Sequence, residues 1–171
     1  RLFRVIENDF KKINVILKKL KSEVTRQKIV AGDWKMQKNA EVTEDLLNEL
    51  IAKLPHDLAV EIIVAPTFVN LASAVDHLEF TNIAVAAQNM HQAESGAFTG
   101  EISAGMLKSI GVGTVIIGHS ERRDYFHASD ALLASKVTTA LKNEMRAIFC
   151  FGEELKDRQA KQHLNIIENQ L

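Results

Sequence analysis

Apolar residues recur every three or four positions at the start of the chain: Phe3, Ile6, Phe10, Ile13, Leu17, Leu20 and Val24. That spacing predicts an amphipathic helix with lysines crowding its other face. From residue 28 the pattern changes. Short runs rich in Val, Ile and Ala, at 28–32, 59–65, 83–88, 114–118 and 147–150, show no polar alternation and read as strands buried on both faces. Helical patterns separate them, at 43–53, 69–78, 103–110, 129–142 and 156–171, with Thr43, Ser103 and Ser129 as the expected N-caps. The strands begin 24–33 residues apart, the pitch of repeated βα units. Five such units with right-handed crossovers build an α/β fold on a parallel sheet. The pattern alone leaves two forms open, a doubly wound sheet and a piece of a closed barrel. In both, the chemistry belongs at the C-terminal ends of the strands.

Composition adds a boundary. The 171 residues are 46% hydrophobic and 25% charged, ordinary for one globular domain with a real core. The net charge is −1, but residues 1–27 hold eight Lys and Arg against three Asp and Glu, a local +5 that leaves −6 for residues 28–171. Two units follow: a basic amphipathic helical extension, 1–27, and a βα domain, 28–171. The extension could lie on a membrane surface or bind a partner. Packing on its own domain or on a second copy is the preferred reading, because apolar helix stripes ordinarily face a core. No run of about eighteen apolar residues suggests a membrane span. The single cysteine, Cys150, allows no internal disulfide and fits a reducing, cytoplasmic setting.

Three strand ends carry candidate chemistry. After the first comes Lys35, able to hold a phosphate or carboxylate as a point charge; the alternative is a solvated surface lysine. After the third comes a segment at 89–100, longer than a βα connection needs, with apolar Phe98 near its tip where a second subunit would bury it. After the fourth comes His119, followed by Ser120 as the expected N-cap of a short helix with Glu121 in its first turn. There the helix field would disfavour the imidazolium and leave a ring able to donate a hydrogen bond. The alternative is a histidine packed between strand and helix. The other histidines lack metal-ligand spacing, and no zinc, EF-hand, dinucleotide or Walker motif is present, so no metal, cofactor or nucleic-acid partner is expected.

Taken together these positions resemble the triosephosphate isomerases. The family's first-strand motif AGNWKMN is similar to Ala31-Gly32-Asp33-Trp34-Lys35-Met36-Gln37. Its third-loop signature matches Ala87-Gln88-Asn89 and residues 94–107. Its motif GHSERR stands intact at 118–123, and FCIGE resembles Phe149-Cys150-Phe151-Gly152-Glu153. The resemblance implies a (β/α)8 barrel, represented here by about five βα units, that interconverts dihydroxyacetone phosphate and glyceraldehyde 3-phosphate in glycolysis and gluconeogenesis as a homodimer, without cofactor or metal. The family is itself a standard case of a glutamate base paired with a neutral histidine electrophile under a closing lid. By position, His119 matches the electrophile, Lys35 the lysine that binds substrate and offsets developing charge, and Glu121 a carboxylate beside that lysine. Thr99 and its neighbours match the loop that enters the second subunit.

The chain also departs from the family. Asp33 stands at the substrate-binding position where the family has asparagine, which replaces a possible donor by an acceptor-only carboxylate. Glu144 stands where a glycine ordinarily ends the fourth main helix, and His127-Ala128 replaces a usual Gly-Glu near the subunit interface. The sequence stops at Leu171, before the sixth strand that carries the family's base, so the 171 residues are expected to be inactive alone. A rival reading is a non-catalytic half-barrel used for binding or assembly.

Overall fold

In the computed structural model the described residues are 26–55 and 57–171. The heptad stripe and nearly all of the basic extension therefore lie outside them, as does His56. Five strands, β1 (Ile29–Asp33), β2 (Glu61–Ala65), β3 (Ile83–Ala87), β4 (Thr114–Ile117) and β5 (Arg146–Phe149), alternate with helices. These are α1 (Ala40–Lys53), α2 (Leu71–Leu78) after a single 3-10 turn at Phe68–Asn70, α3 (Ala104–Ser109), α4 (Ser120–Phe126), α5 (Asp130–Lys142), α6 (Leu155–Gln159) and α7 (His163–Gln170).

All neighbouring strands are parallel, in the order β1-β2-β3-β4-β5. A doubly wound sheet reverses direction at a switch point, whereas a barrel adds each strand beside the last. The observed order is that of a barrel. The sheet also curls. Arg146, at the start of β5, donates from Nη1 to Glu61 Oε2 at the start of β2, 2.8 Å away. Flat strands three places apart would be separated by about 14 Å. The result is an α/β half-barrel.

Side chains alternate across the strands. Val64, Val85, Ala87, Val115 and Ile117 face outward and pack with Leu47, Leu71, Leu107 and Leu133 of the helices. Ile63, Ala65, Ala86 and Ile116 face inward and form a second, smaller cluster. The expectation of strands buried on both faces holds for β4 and for the C-terminal halves of β2 and β3. It fails for β1, where Ile29 and Val30 are 43% and 59% exposed. β1 and β5 are the sheet's edges, each with one neighbour.

Ser103 and Ser129 cap α3 and α5 as expected, accepting from Met106 N and Leu132 N. Thr43 does not cap α1. Asn39 does, its Oδ1 accepting from Val42 N at 2.9 Å, and asparagine is the stronger cap. Thr43 lies inside α1, buried, and accepts from Asn70 Nδ2. The helix expected over 156–171 is two helices. The backbone turns left-handed at Lys161, with φ 59°, and Gln162 N donates to Asp157 O. No glycine or proline marks that break.

Candidate active site

The C-terminal strand ends converge on a cleft of about 670 Å³ that includes Asp33, Lys35, Gln88, His119, Glu121 and Arg122. A smaller cavity of about 130 Å³, at the opposite end of β2, is walled by Leu54, Leu58, Ile62 and Phe80 and has no ionisable residue in its lining. The chemistry therefore sits in the larger cleft.

Lys35 follows β1 in a left-handed conformation, φ 52°, which a residue with a side chain adopts only when its surroundings hold it there. Two contacts do so. Asp33 Oδ1 accepts from Lys35 N at 3.1 Å, closing a tight turn. Gln88, just beyond β3, donates its Nε2 to the carbonyls of Lys35 and of Ala65, both at 2.8 Å. One amide thus ties the ends of three neighbouring strands. Gln88 belongs to the Ala87-Gln88-Asn89 motif, which by itself gives no sign of this role.

His119 follows β4. Ser120, the expected cap, is instead the first residue of α4, and His119 is the cap: its Nδ1 accepts from Glu121 N at 3.2 Å. An accepting Nδ1 carries no proton, so the ring's proton is on Nε2, which faces the cleft. The turn into α4 needs Gly118, at φ 82°, where an added Cβ would meet Cys150 O at 2.7 Å. Arg123 braces the same turn. It donates to Gly118 O, Cys150 O and Asp130 Oδ1 and so serves structure, whereas Arg122 borders the cleft with its guanidinium 4.3 Å over the Phe126 ring.

Lys35 and His119 belong to strands three places apart, yet Lys35 Nζ lies 3.0 Å from His119 Nε2. Glu121 Oε1 is 2.9 Å from the same ammonium. Asp33 Oδ2 is 3.6 Å from Lys35 Nζ and 3.4 Å from His119 Nε2. The hydrogen bond to Glu121, with help from Asp33, raises the Lys35 pKa above its ordinary value despite partial desolvation, and the bond from Lys35 lowers that of Glu121. Cys150 sits behind the cluster, its thiol pushed up by burial and by the charge of Asp33. The four expected residues therefore meet at one place: a cation, a ring N–H and two carboxylates. Such a group can grip an oxyanion and polarise a carbonyl. Phe98 and Thr99 lie apart, exposed on the 89–100 loop, with the Phe98 ring 4.2 Å from that of His91. Among the described residues no group of three His, Cys, Asp or Glu is placed to hold a metal ion, and no helix is long and apolar enough to cross a membrane.

Comparison with known proteins agrees with this geometry. The family model described as Triosephosphate isomerase matches residues 28–171. The chain is 74% identical over 146 residues to a triosephosphate isomerase of Flavobacterium psychrophilum, covering 85% of the chain and 58% of that protein. It is 68% identical to the one from Flavobacterium johnsoniae, with the same coverage, and 47% identical over 148 residues to that of Cytophaga hutchinsonii, of which it covers 59%. The chain thus spans a little under three-fifths of the length of these relatives. The match runs through every strand of the half-barrel and through each loop that brings a side chain to the cleft, and on that ground the chain belongs to the triosephosphate isomerase family.

Proposed function

We propose that this chain supplies the lysine–histidine half of an isomerase site that interconverts dihydroxyacetone phosphate and glyceraldehyde 3-phosphate. The observation that carries the reading is the 3.0 Å approach of Lys35 Nζ to His119 Nε2 at the mouth of the curled sheet. In this role His119 donates from Nε2 to the substrate carbonyl and to the enediolate oxygens that replace it. Lys35 binds the anionic substrate and offsets charge that grows in the transition state, the interaction that accelerates the step. Glu121 holds Lys35 in place until substrate arrives, and Asp33 borders the substrate. No cofactor or metal enters the reaction.

The domain that does this is 28–171, with 1–27 as a separate basic extension. The protein works as a cytoplasmic homodimer in glycolysis and gluconeogenesis. Phe98 and Thr99 enter the partner subunit, which explains an apolar ring left half exposed on a long loop. Asp33 and Glu121 both face the lysine–histidine pair rather than an open substrate position. Neither serves as the base that takes a carbon-bound proton, so the 171 residues alone are inactive.

The test is a coupled isomerase assay on the chain alone and with a second polypeptide carrying the remaining strands of a relative's barrel. Turnover is expected only in the mixture, and His119→Gln or Lys35→Met should lower it by about 10²–10⁴-fold. Mixtures unaffected by both substitutions would refute the assignment. A second reading, a non-catalytic half-barrel that binds or assembles, is favoured by one observation, the acidic residue Asp33 inside the site. It requires that the mixture stay inactive while the chain still associates.

A further inference from the structure

We infer that Asp33 is an internal competitor of the substrate: its carboxylate borders the oxygen position between Lys35 and His119, and the site therefore holds doubly charged phosphate esters less tightly than it would with a neutral side chain there. The inference deepens the isomerase reading and rests on it for the identity of the ester. Three distances define the arrangement. Nζ of Lys35 and Nε2 of His119 lie 3.0 Å apart, and Asp33 Oδ2 completes the triangle at 3.6 and 3.4 Å. With the ring proton on Nε2 both nitrogens present hydrogens, and a ligand oxygen is the partner they can share. Asp33 Oδ2 lies within 4 Å of both nitrogens in this structure.

The hold is looser than a hydrogen bond, since both contacts exceed the usual range. A ligand oxygen at about 2.8 Å would therefore displace it. Displacement does not remove the charge, however. Asp33 is anchored by its other oxygen, Oδ1, to Lys35 N, and so stays at the site mouth. Glu121 already takes the closest bond of Lys35, at 2.9 Å. The cluster then sets one ammonium against two carboxylates, with Arg122 at the rim as the further cation of the lining. An incoming dianion meets two fixed negative charges within a few ångströms, and an acceptor-only carboxylate offers it no hydrogen. A neutral ketone of the same carbon skeleton meets no such repulsion.

Asp33→Asn isolates the charge. Asparagine keeps Oδ1 for the turn at Lys35 and turns the second position into a donor. Asp33→Ala removes charge and donor together. Calorimetric titration of the full 171-residue chain and both variants, with dihydroxyacetone phosphate, inorganic phosphate and uncharged dihydroxyacetone, reads the effect. The Asn variant should bind both phosphates about tenfold more tightly than the parent, and the Ala variant should share part of the gain. Affinity for dihydroxyacetone should change by less than about twofold. Circular dichroism reports whether the variants keep the fold, and the Asn variant alone suffices if Ala does not. Equal or weaker phosphate binding by a folded Asn variant overturns the inference, as does an equal gain for the uncharged ketone or no phosphate binding by any chain. Failure of the isomerase reading looks different: the ester would bind no better than inorganic phosphate in every chain, while inorganic phosphate alone would still show the Asn gain.

Discussion

Lys136 of α5 buries its ammonium against Asn89 at the end of β3, with 2.9 Å between Nζ and Oδ1. The residue is 5% exposed. Burial lowers its pKa from the ordinary 10.5, and the nearby charge of Arg122 adds to this, while Glu101 opposes it. Asn89 meets one of three ammonium hydrogens with a neutral oxygen, which is weak compensation for a desolvated charge.

The pH dependence of stability follows. Between its folded-state pKa and 10.5, Lys136 binds fewer protons in the folded chain than in the unfolded one. Stability therefore rises with pH across that window, with a slope of at most about 1.4 kcal/mol per pH unit from this group. Lys136→Met should lack the rise. Urea unfolding of both chains from pH 7 to 10.5 checks it. Parallel curves would mean that the amine reaches water in the folded chain.

Gln88 offers a test of how the site is held. Its two bonds, to the carbonyls of Lys35 and Ala65, support a lysine at φ 52°. Gln88→Leu removes both bonds and leaves the part-buried Lys35 carbonyl without its donor, while Ala65 O keeps the bond from Trp34 N, at a cost of about 1–2 kcal/mol. In the active mixture of chain and complementing polypeptide, the misplaced ammonium should also reduce turnover more than it reduces substrate affinity. Separate measurement of kcat and KM decides this; a loss confined to KM would assign Gln88 no part in aiming Lys35.

How far the fold could be read depended on which physical signal was local. The strands were legible because β2, β3 and β4 are packed between helices and an inner cluster, and such burial writes itself as unbroken Val, Ile and Ala. Whether the sheet closes or winds both ways was not legible in that pattern, because strand order depends on long-range contacts such as that of Arg146 with Glu61. Caps were read where one serine stood alone. Thr43 does not cap because Asn39, four residues earlier, takes that role, and Ser120 does not because the His119 ring takes it. Lys35, His119, Glu121 and Asp33 were found through motif resemblance. Gln88 and Lys136 were not singled out, since a lone glutamine or lysine gives no sign of burial until the fold is known.

Two helix ends lack the residue their backbone favours. Glu144 follows α5 at φ 57° and His127 caps α4 at φ 51°. Glycine adopts these angles without strain. Glu144 is also well exposed, and its 3.7 Å ion pair with Lys108 is worth little. Glu144→Gly and His127→Gly should each stabilise the chain by about 1 kcal/mol. The two sites lie on different turns, so the double variant should gain the sum. Thermal melts of all four chains test both statements. Destabilisation at His127 alone would show that its ring makes a contact worth more than the strain.

Glu61 and Arg146 join strands three places apart at the base of the curl, as Lys35 and His119 do at its mouth. Glu61 accepts from both Nη1 and Nη2 of Arg146, and Arg146 also reaches Thr114 Oγ1 at the start of β4. Glu61 is the more buried partner, with a side chain 16% exposed against 41% for Arg146. The hydrogen bonds from Arg146 lower the Glu61 pKa from its ordinary 4.5. A carboxylate whose folded pKa is depressed contributes stability that is present above 4.5 and is lost as pH falls through the folded value. Acid should therefore loosen the base of the sheet through this group, and Glu61→Gln should remove that part of the acid sensitivity. Arg146→Met is the harsher change. It leaves Glu61 part-buried without its guanidinium, at a cost of roughly 2–3 kcal/mol, because removing one partner strands the other. Hydrogen exchange locates the damage. The amides that bond β4 to β5 should exchange faster in Arg146→Met than in the parent, while those between β1 and β2 keep their protection. Uniform loss of protection over all five strands would mean that the pair supports the whole half-barrel rather than the seat of β5.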